Sequence, residues 1–127
     1  VEQVLALQFL RNEIGDLLLR ELAQRIEGTT RSEDIFARYG GEEFALICRD
    51  VDALKASRAG ERVLDLIRGR PFQVDGHSLN LTVSLGAADL AQLREPSART
   101  LVEASESALA AAKRQGKNRL EIFDPNG

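Results

Sequence analysis

Two apolar, β-prone runs, Ile35 to Tyr39 and Phe44 to Cys48, are separated by only Gly40-Gly41-Glu42-Glu43. A parallel pair would need a crossover of a dozen or more residues, so these runs can pair only as an antiparallel hairpin with a glycine-enabled turn. The same constraint returns where Phe72-Gln73-Val74 and Leu79 to Ala87 flank Asp75-Gly76, a strong hairpin signal. Helices fill the intervals. After Gly15-Asp16, Leu18, Leu22 and Ile26 recur every four residues and stack on one helix face, until Gly28-Thr29-Thr30 ends the run. A second amphipathic helix is predicted from about Val51 to Ile67, with Leu54, Val63, Leu64 and Ile67 apolar and Gly69 and Pro71 stopping it. An alanine-rich third runs from about Ala98 to Arg114, with Gly116 placed to cap it. Val4 to Phe9 reads as a strand, although a helix also fits so short a run, and Leu120 to Phe123 as a last strand. Short hairpins between neighbours predict a largely antiparallel sheet with helices packed on it, an α+β layout.

Composition narrows the class. A chain of 127 residues has room for one ordinary core, so residues 1–127 are expected to form a single domain. With 43% hydrophobic and 29% charged residues it reads as a globular protein. No apolar run approaches the ~20 residues needed to cross a bilayer, and Val1-Glu2-Gln3-Val4 lacks the layout of a secretion signal, so a cytoplasmic location is expected. The net charge of −3, the 5% aromatic content and the absence of tryptophan argue against a dedicated nucleic-acid binder. Cys48 and His77 are single, which excludes an internal disulfide framework and a Cys/His zinc site.

Among chemical motifs, the phosphate-loop pattern fails because Gly116-Lys117 is followed by Asn118 and the earlier glycine is Ala111; G-x-G-x-x-G is absent too. His77 beside an Asp-Gly turn reads as an exposed turn histidine. The Gly40-Gly41-Glu42-Glu43-Phe44 turn offers more. Its glycines let backbone approach a ligand, and its carboxylates can bind Mg²⁺ that bridges phosphate oxygens. The metal is needed, because like unit charges at 4 Å repel by about 4 kcal/mol at an effective dielectric near 20. On these residues alone an ordinary solvated hairpin is the simpler reading.

The wider sequence tips the balance. Arg38-Tyr39-Gly40-Gly41-Glu42-Glu43-Phe44 resembles the signature of the GGDEF family, the diguanylate cyclase domains, in its GGEEF form. Gly15-Asp16-Leu17-Leu18 resembles the family's G-D-x-L, and Leu81 to Ala87 (LTVSLGA) its (I/L)-T-(V/I)-S-(I/L)-G-(V/A) strand. Ala108 to Asn118 (ALAAAKRQGKN) resembles its A-L-Y-x-A-K-x-x-G-(R/K)-N helix end, with Ala110 in place of the tyrosine. These blocks follow the family's order and spacing from about Gly15 to Phe123.

The resemblance implies a nucleotidyl-cyclase, ferredoxin-like fold with a central, mostly antiparallel five-stranded sheet. It implies an enzyme that condenses two GTP molecules into cyclic di-GMP and pyrophosphate with Mg²⁺ or Mn²⁺, working as a homodimer. Glu42 then matches the catalytic metal-binding acid and Glu43 its neighbour, while Gly40 and Gly41 shape the GTP site. Asp16 matches the guanine-binding aspartate, and also suits a helix N-terminus. Lys113 and Lys117, one turn apart at a helix end, match the phosphate-holding pair. Arg31-Ser32-Glu33-Asp34 stands at the R-x-x-D position which, with Arg62, implies an inhibitory site for cyclic di-GMP. An attached sensor domain is implied as well.

The family's first-strand D-x-D-x-F-K and its guanine asparagine are not matched. Counting back from Asp16 puts the asparagine place at Leu7 and the strand aspartate before Val1. Either the active site is degenerate, leaving a receptor for cyclic di-GMP, or a stretch after Leu5 to Phe9 is omitted from the chain. The joint presence of Glu42, Glu43, Asp16, Lys113 and Lys117 favours omission.

Overall fold

A computed structural model describes residues 2–9, 16–29, 35–38, 43–49 and 53–126; within these, the side chains of 2–9, 16, 19, 37, 38, 43, 49 and 53–56 are not described. In chain order the elements are β1 (Glu2–Phe9), α1 (Asp16–Glu27), β2 (Ile35–Arg38), β3 (Glu43–Arg49), α2 (Ala53–Arg68), β4 (Phe72–Val74), β5 (His77–Leu79), β6 (Val83–Asp89), a 3-10 turn at Leu90–Gln92, α3 (Ala98–Arg114) and β7 (Leu120–Ile122). A five-stranded sheet has the order β2-β3-β1-β6-β7. Every neighbouring pair is antiparallel except β6 with β7, which α3 connects as a crossover. The α+β expectation holds, and β1 is a strand in the centre of the sheet.

One expected strand divides. The run from Leu79 to Ala87 is not continuous: β5 pairs with β4 in a separate ribbon, and the chain joins the main sheet only at Val83. The turn explains this. Asp75 (φ 49°) and Gly76 (φ 77°) are both left-handed, as a two-residue hairpin of the I′ kind requires. Pairing therefore resumes at once, with Val74 opposite His77, and the ribbon is complete by Leu79.

Alternation along the strands sorts the core into two layers. Phe44, Val83 and Leu85 face Leu18, Leu22 and Ile26 of α1 and Val63, Leu64 and Ile67 of α2. The opposite face presents Ala88 to Leu101 and Ala104 of α3, flanked by Ala45 and Ile47. Strand β6 is covered on both sides, which explains its run of small and apolar residues. Helix α3 starts on a reciprocal cap: Ser97 Oγ accepts from the Thr100 amide at 3.1 Å, and Thr100 Oγ1 accepts from the Ser97 amide at 2.9 Å.

Arg25 ties the helical layer together. Its side chain is only 5% exposed and lies 3.5 Å above the centre of the Phe72 ring. Nη1 donates to the carbonyl of Arg70 at 2.8 Å, and Nη2 to that of Pro71 at 3.2 Å and to Glu21 Oε1 at 3.4 Å. Burial, and then the nearby Arg70 charge, lower its pKa, while Glu21 works in the other direction. The group stays charged, since an arginine starts from so high a value. Arg25→Ala is expected to cost about 2 kcal/mol, from the lost cation–π contact and the stranded carbonyls. Arg25→Lys should recover only part of this, because an ammonium cannot span the same carbonyls as a fork. Urea denaturation of the three proteins checks both; an Arg25→Ala midpoint equal to the parent's would refute the clamp.

Candidate active site

Register and connectivity bring the separate sequence blocks to one edge of the sheet. Gln8 of β1 lies opposite Glu43 of β3, and Phe9 opposite Val83, so β1 ends where β3 and β6 begin. Arg38 is opposite Phe44, which puts the end of β2 at the same edge. Leu120 pairs in parallel with Leu85, so β7 also starts there. Helix α1, beginning at Asp16, follows β1 from this edge, and α3, ending at Arg114, returns to it. The edge therefore collects the Asp16 end of α1, the 39–43 connection and the Lys113–Lys117 segment.

Of the singled-out residues, Gly40, Gly41, Glu42, Arg31 and Asp34 lie outside the described residues. Glu43 is placed by its backbone at the first position of β3, in one cross-strand row with Gln8 and Ser84. Ser84 is fully buried, and its hydroxyl has no hydrogen-bond partner among the described residues. The strands flanking the 39–43 connection are braced by Phe36 and Phe44, whose rings stack 5.2 Å apart and within 3° of parallel. That brace ties β2 to β3 beside the ends that the 39–43 connection joins. Among the described residues no three histidine, cysteine or acidic side chains gather as a metal site.

Lys113 is half-buried on the last turn of α3, and Lys117 is exposed. They are not one helical turn apart, as their spacing predicts, because α3 stops at Arg114. The Lys117 amide donates to the Ala112 carbonyl at 2.9 Å and the Gly116 amide to that of Lys113 at 3.4 Å, around Gly116 with φ 121°. This is a Schellman ending, so Gly116 caps the helix as expected and turns the chain away before Lys117. Among the described residues neither lysine has an ion-pair partner, which leaves two cations for an anionic ligand. Arg62 is exposed on α2. The 30–34 segment, with Arg31 and Asp34, enters β2 at Ile35, the end away from 39–43.

The expected strand at Val4 to Phe9 is present as the central strand Glu2–Phe9, and residues 10–15 join it to α1. No aspartate occurs between Val1 and Gly15. Sequence reading missed Arg68, whose guanidinium Nη1 donates to Asn118 Oδ1 at 3.4 Å across fifty positions of chain. A cation on the last turn of a helix carries no signal of such a contact. A cavity of about 430 Å³ lined by Leu93, Arg94, Thr100, Glu103, Ala104 and Phe123 lies at the other edge, where β6 ends. It contains none of the residues above. No helix among the described residues is long and apolar enough to cross a membrane.

Comparison with known proteins identifies the family. The family model described as diguanylate cyclase, GGDEF domain, matches residues 12–119. Diguanylate cyclase A of Treponema denticola is 35% identical over 112 residues, covering 88% of this chain and 30% of its own length. Response regulator PleD of Caulobacter vibrioides is 36% identical over 110 residues, covering 84% of this chain and 24% of its own length. The chain thus spans a quarter to a third of these relatives. The GGDEF domain of DgcB from Caulobacter crescentus, solved in complex with c-di-GMP, superimposes with a TM-score of 0.83 at 27% identity, covering 96% of this chain and 77% of that one. Signature, topology and family match together place this chain in the GGDEF family of diguanylate cyclase domains.

Proposed function

We propose that the protein carrying this domain is a diguanylate cyclase that joins two GTP molecules into cyclic di-GMP as a face-to-face homodimer. The observation that supports it is the convergence of α1, the 39–43 connection and the α3 ending on one sheet edge. Asp16, at the start of α1, accepts from guanine N1–H and the 2-amino group. Gly40 and Gly41 let the backbone approach the nucleotide, and Glu42, with Glu43 beside it, holds Mg²⁺ or Mn²⁺. The ion supplies polarisation of the α-phosphate and screening of the carboxylates from it. Glu42 helps to take the proton from the 3′-hydroxyl of one GTP. That oxygen bonds to the α-phosphorus of the other, the bond to the bridging oxygen breaks, and pyrophosphate leaves with its charge met by Lys113 and Lys117. The same step with the roles exchanged closes the ring.

Incubating the full-length protein with GTP and Mg²⁺ and separating the nucleotides should yield cyclic di-GMP and pyrophosphate; unreacted GTP would refute the assignment. One observation favours a second reading. Strand β1 is in place, yet no aspartate accompanies it before Asp16. In that reading the domain no longer turns over and serves as a cyclic di-GMP receptor, which calorimetry on an inactive protein would reveal.

Product inhibition is proposed to act through Arg31, Asp34 and Arg62, where a guanidinium forks onto phosphate and a carboxylate accepts from guanine. Arg31→Ala is expected to weaken cyclic di-GMP binding at this site about tenfold or more, as a lost charge-assisted pair would. Initial turnover should be unchanged. Equal affinity in calorimetry would remove the inhibitory site from the account.

A further inference from the structure

The Schellman ending of α3 is complete at Gly116, yet the backbone stays left-handed for two further residues, Lys117 (φ 65°) and Asn118 (φ 52°). Asparagine tolerates that region; a lysine there, and two such residues in succession, are uncommon and need support from elsewhere. Some support is local: Arg119 Nε donates to the Lys117 carbonyl and Nη1 to Gln115 Oε1, both at 3.4 Å. The contact from another element is that of Arg68 on the last turn of α2, with Nη1 on Asn118 Oδ1. Its orientation is set by Asp65, whose Oδ1 accepts from Nη2 at 2.7 Å and from Nε at 3.2 Å. The third guanidinium nitrogen is thereby left facing Asn118. The Arg68 side chain is 38% exposed, so its loss leaves the core intact.

We infer that Arg68 is a positioning residue: by bridging Asp65 to Asn118 it holds the left-handed turn that aims Lys117 at the polyphosphate of bound nucleotide. The inference rests on the reading of Lys113 and Lys117 as the phosphate-holding pair, and adds to it a strut from a different helix. It predicts an effect confined to the phosphate end of the ligand. A strut that merely supported the fold would affect every ligand alike.

The test uses the full-length protein with Mg²⁺ and two probes, 3′-deoxy-GTP, which lacks the attacking hydroxyl, and guanosine, which lacks phosphates. Arg68→Ala and Asn118→Gly should each weaken 3′-deoxy-GTP about fivefold, the scale of one modest hydrogen bond, and leave guanosine unchanged. Glycine keeps the left-handed backbone accessible and removes only the acceptor. The double variant should bind no more weakly than either single one, since both break the same contact. If Arg68→Ala weakens binding and Asn118→Gly does not, Arg68 acts as a mere charge and the inference fails. Equal weakening of guanosine also overturns it. Lys117→Ala separates the two levels. If it leaves 3′-deoxy-GTP binding unchanged, the phosphate reading falls and the strut with it. If it weakens binding while Arg68→Ala does not, the strut alone is wrong.

Discussion

Glu42→Gln in the full-length protein is expected to abolish cyclic di-GMP formation, lowering kcat by at least about three orders of magnitude. Metal-assisted displacement at phosphorus contributes several kcal/mol, and each ~1.4 kcal/mol is a factor of ten in rate. Glutamine keeps the shape and loses the charge proposed to hold the ion. It also loses the site that takes the 3′-hydroxyl proton, so two contributions disappear together. Stability should hardly change, because residues 39–43 connect two strands already fixed by the Phe36–Phe44 stack and by the pairing of β3 with β1. The measurement is initial rate against Mg²⁺ and Mn²⁺ concentration, with a thermal melt alongside. Activity within tenfold of the parent at saturating metal would remove Glu42 from the metal site. Glu42→Asp, which retains the charge on a shorter arm, should keep a residual rate that rises with metal concentration.

The limits of legibility follow the range of the forces involved. Hairpins were readable because a turn acts on adjacent residues: Gly40 to Glu43 and Asp75-Gly76 fix antiparallel pairing with no knowledge of the rest of the chain. The helix faces were readable because Leu18, Leu22 and Ile26 sit on a fixed period, and all three are buried. The break after Leu79 was missed because apolar pattern alone cannot tell one strand from two when a self-contained ribbon precedes a sheet strand. The Lys113–Lys117 spacing misled for a related reason: a four-residue interval means one turn only while the helix lasts, and Gly116 ends it. The long-range contacts of Arg25 and Arg68 were invisible, since those partners lie more than forty positions away and are backbone carbonyls or a side-chain amide. The site itself was legible as a set of motifs. The convergence of its segments was not, because that depends on long-range strand pairing and register, which in the β2-β3-β1-β6-β7 sheet bring the three segments to one edge.

Gly86 is where that assembly is most exposed to a single atom. A Cβ built on it would lie 2.2 Å from the Leu109 amide nitrogen, 2.2 Å from the Ser105 carbonyl oxygen and 2.7 Å from Leu109 Cα. All three are backbone atoms of α3, so no side-chain rotation relieves the clash. The helix must retreat from β6, and the buried face of Leu101, Ala104, Ala108, Leu109 and Ala112 goes with it. Gly86→Ala is therefore expected to destabilise the domain by about 3 kcal/mol or more, at or beyond the upper end of ordinary overpacking. Gly76→Ala provides the contrast. Its φ of 77° strains an alanine, but nothing lies within 4 Å of the added atom. That variant should lose only about 1–2 kcal/mol from backbone strain. Urea midpoints for the two variants decide the matter, with equal losses counting against close packing at Gly86. The same displacement has a functional reading. Helix α3 carries Lys113 and sets the start of the turn that holds Lys117, the proposed phosphate-holding pair, so any folded Gly86→Ala protein should bind 3′-deoxy-GTP more weakly, in parallel with the retreat of the helix. Gly76→Ala, in the turn of the separate β4-β5 ribbon, does not displace α3 and should leave that affinity as it was.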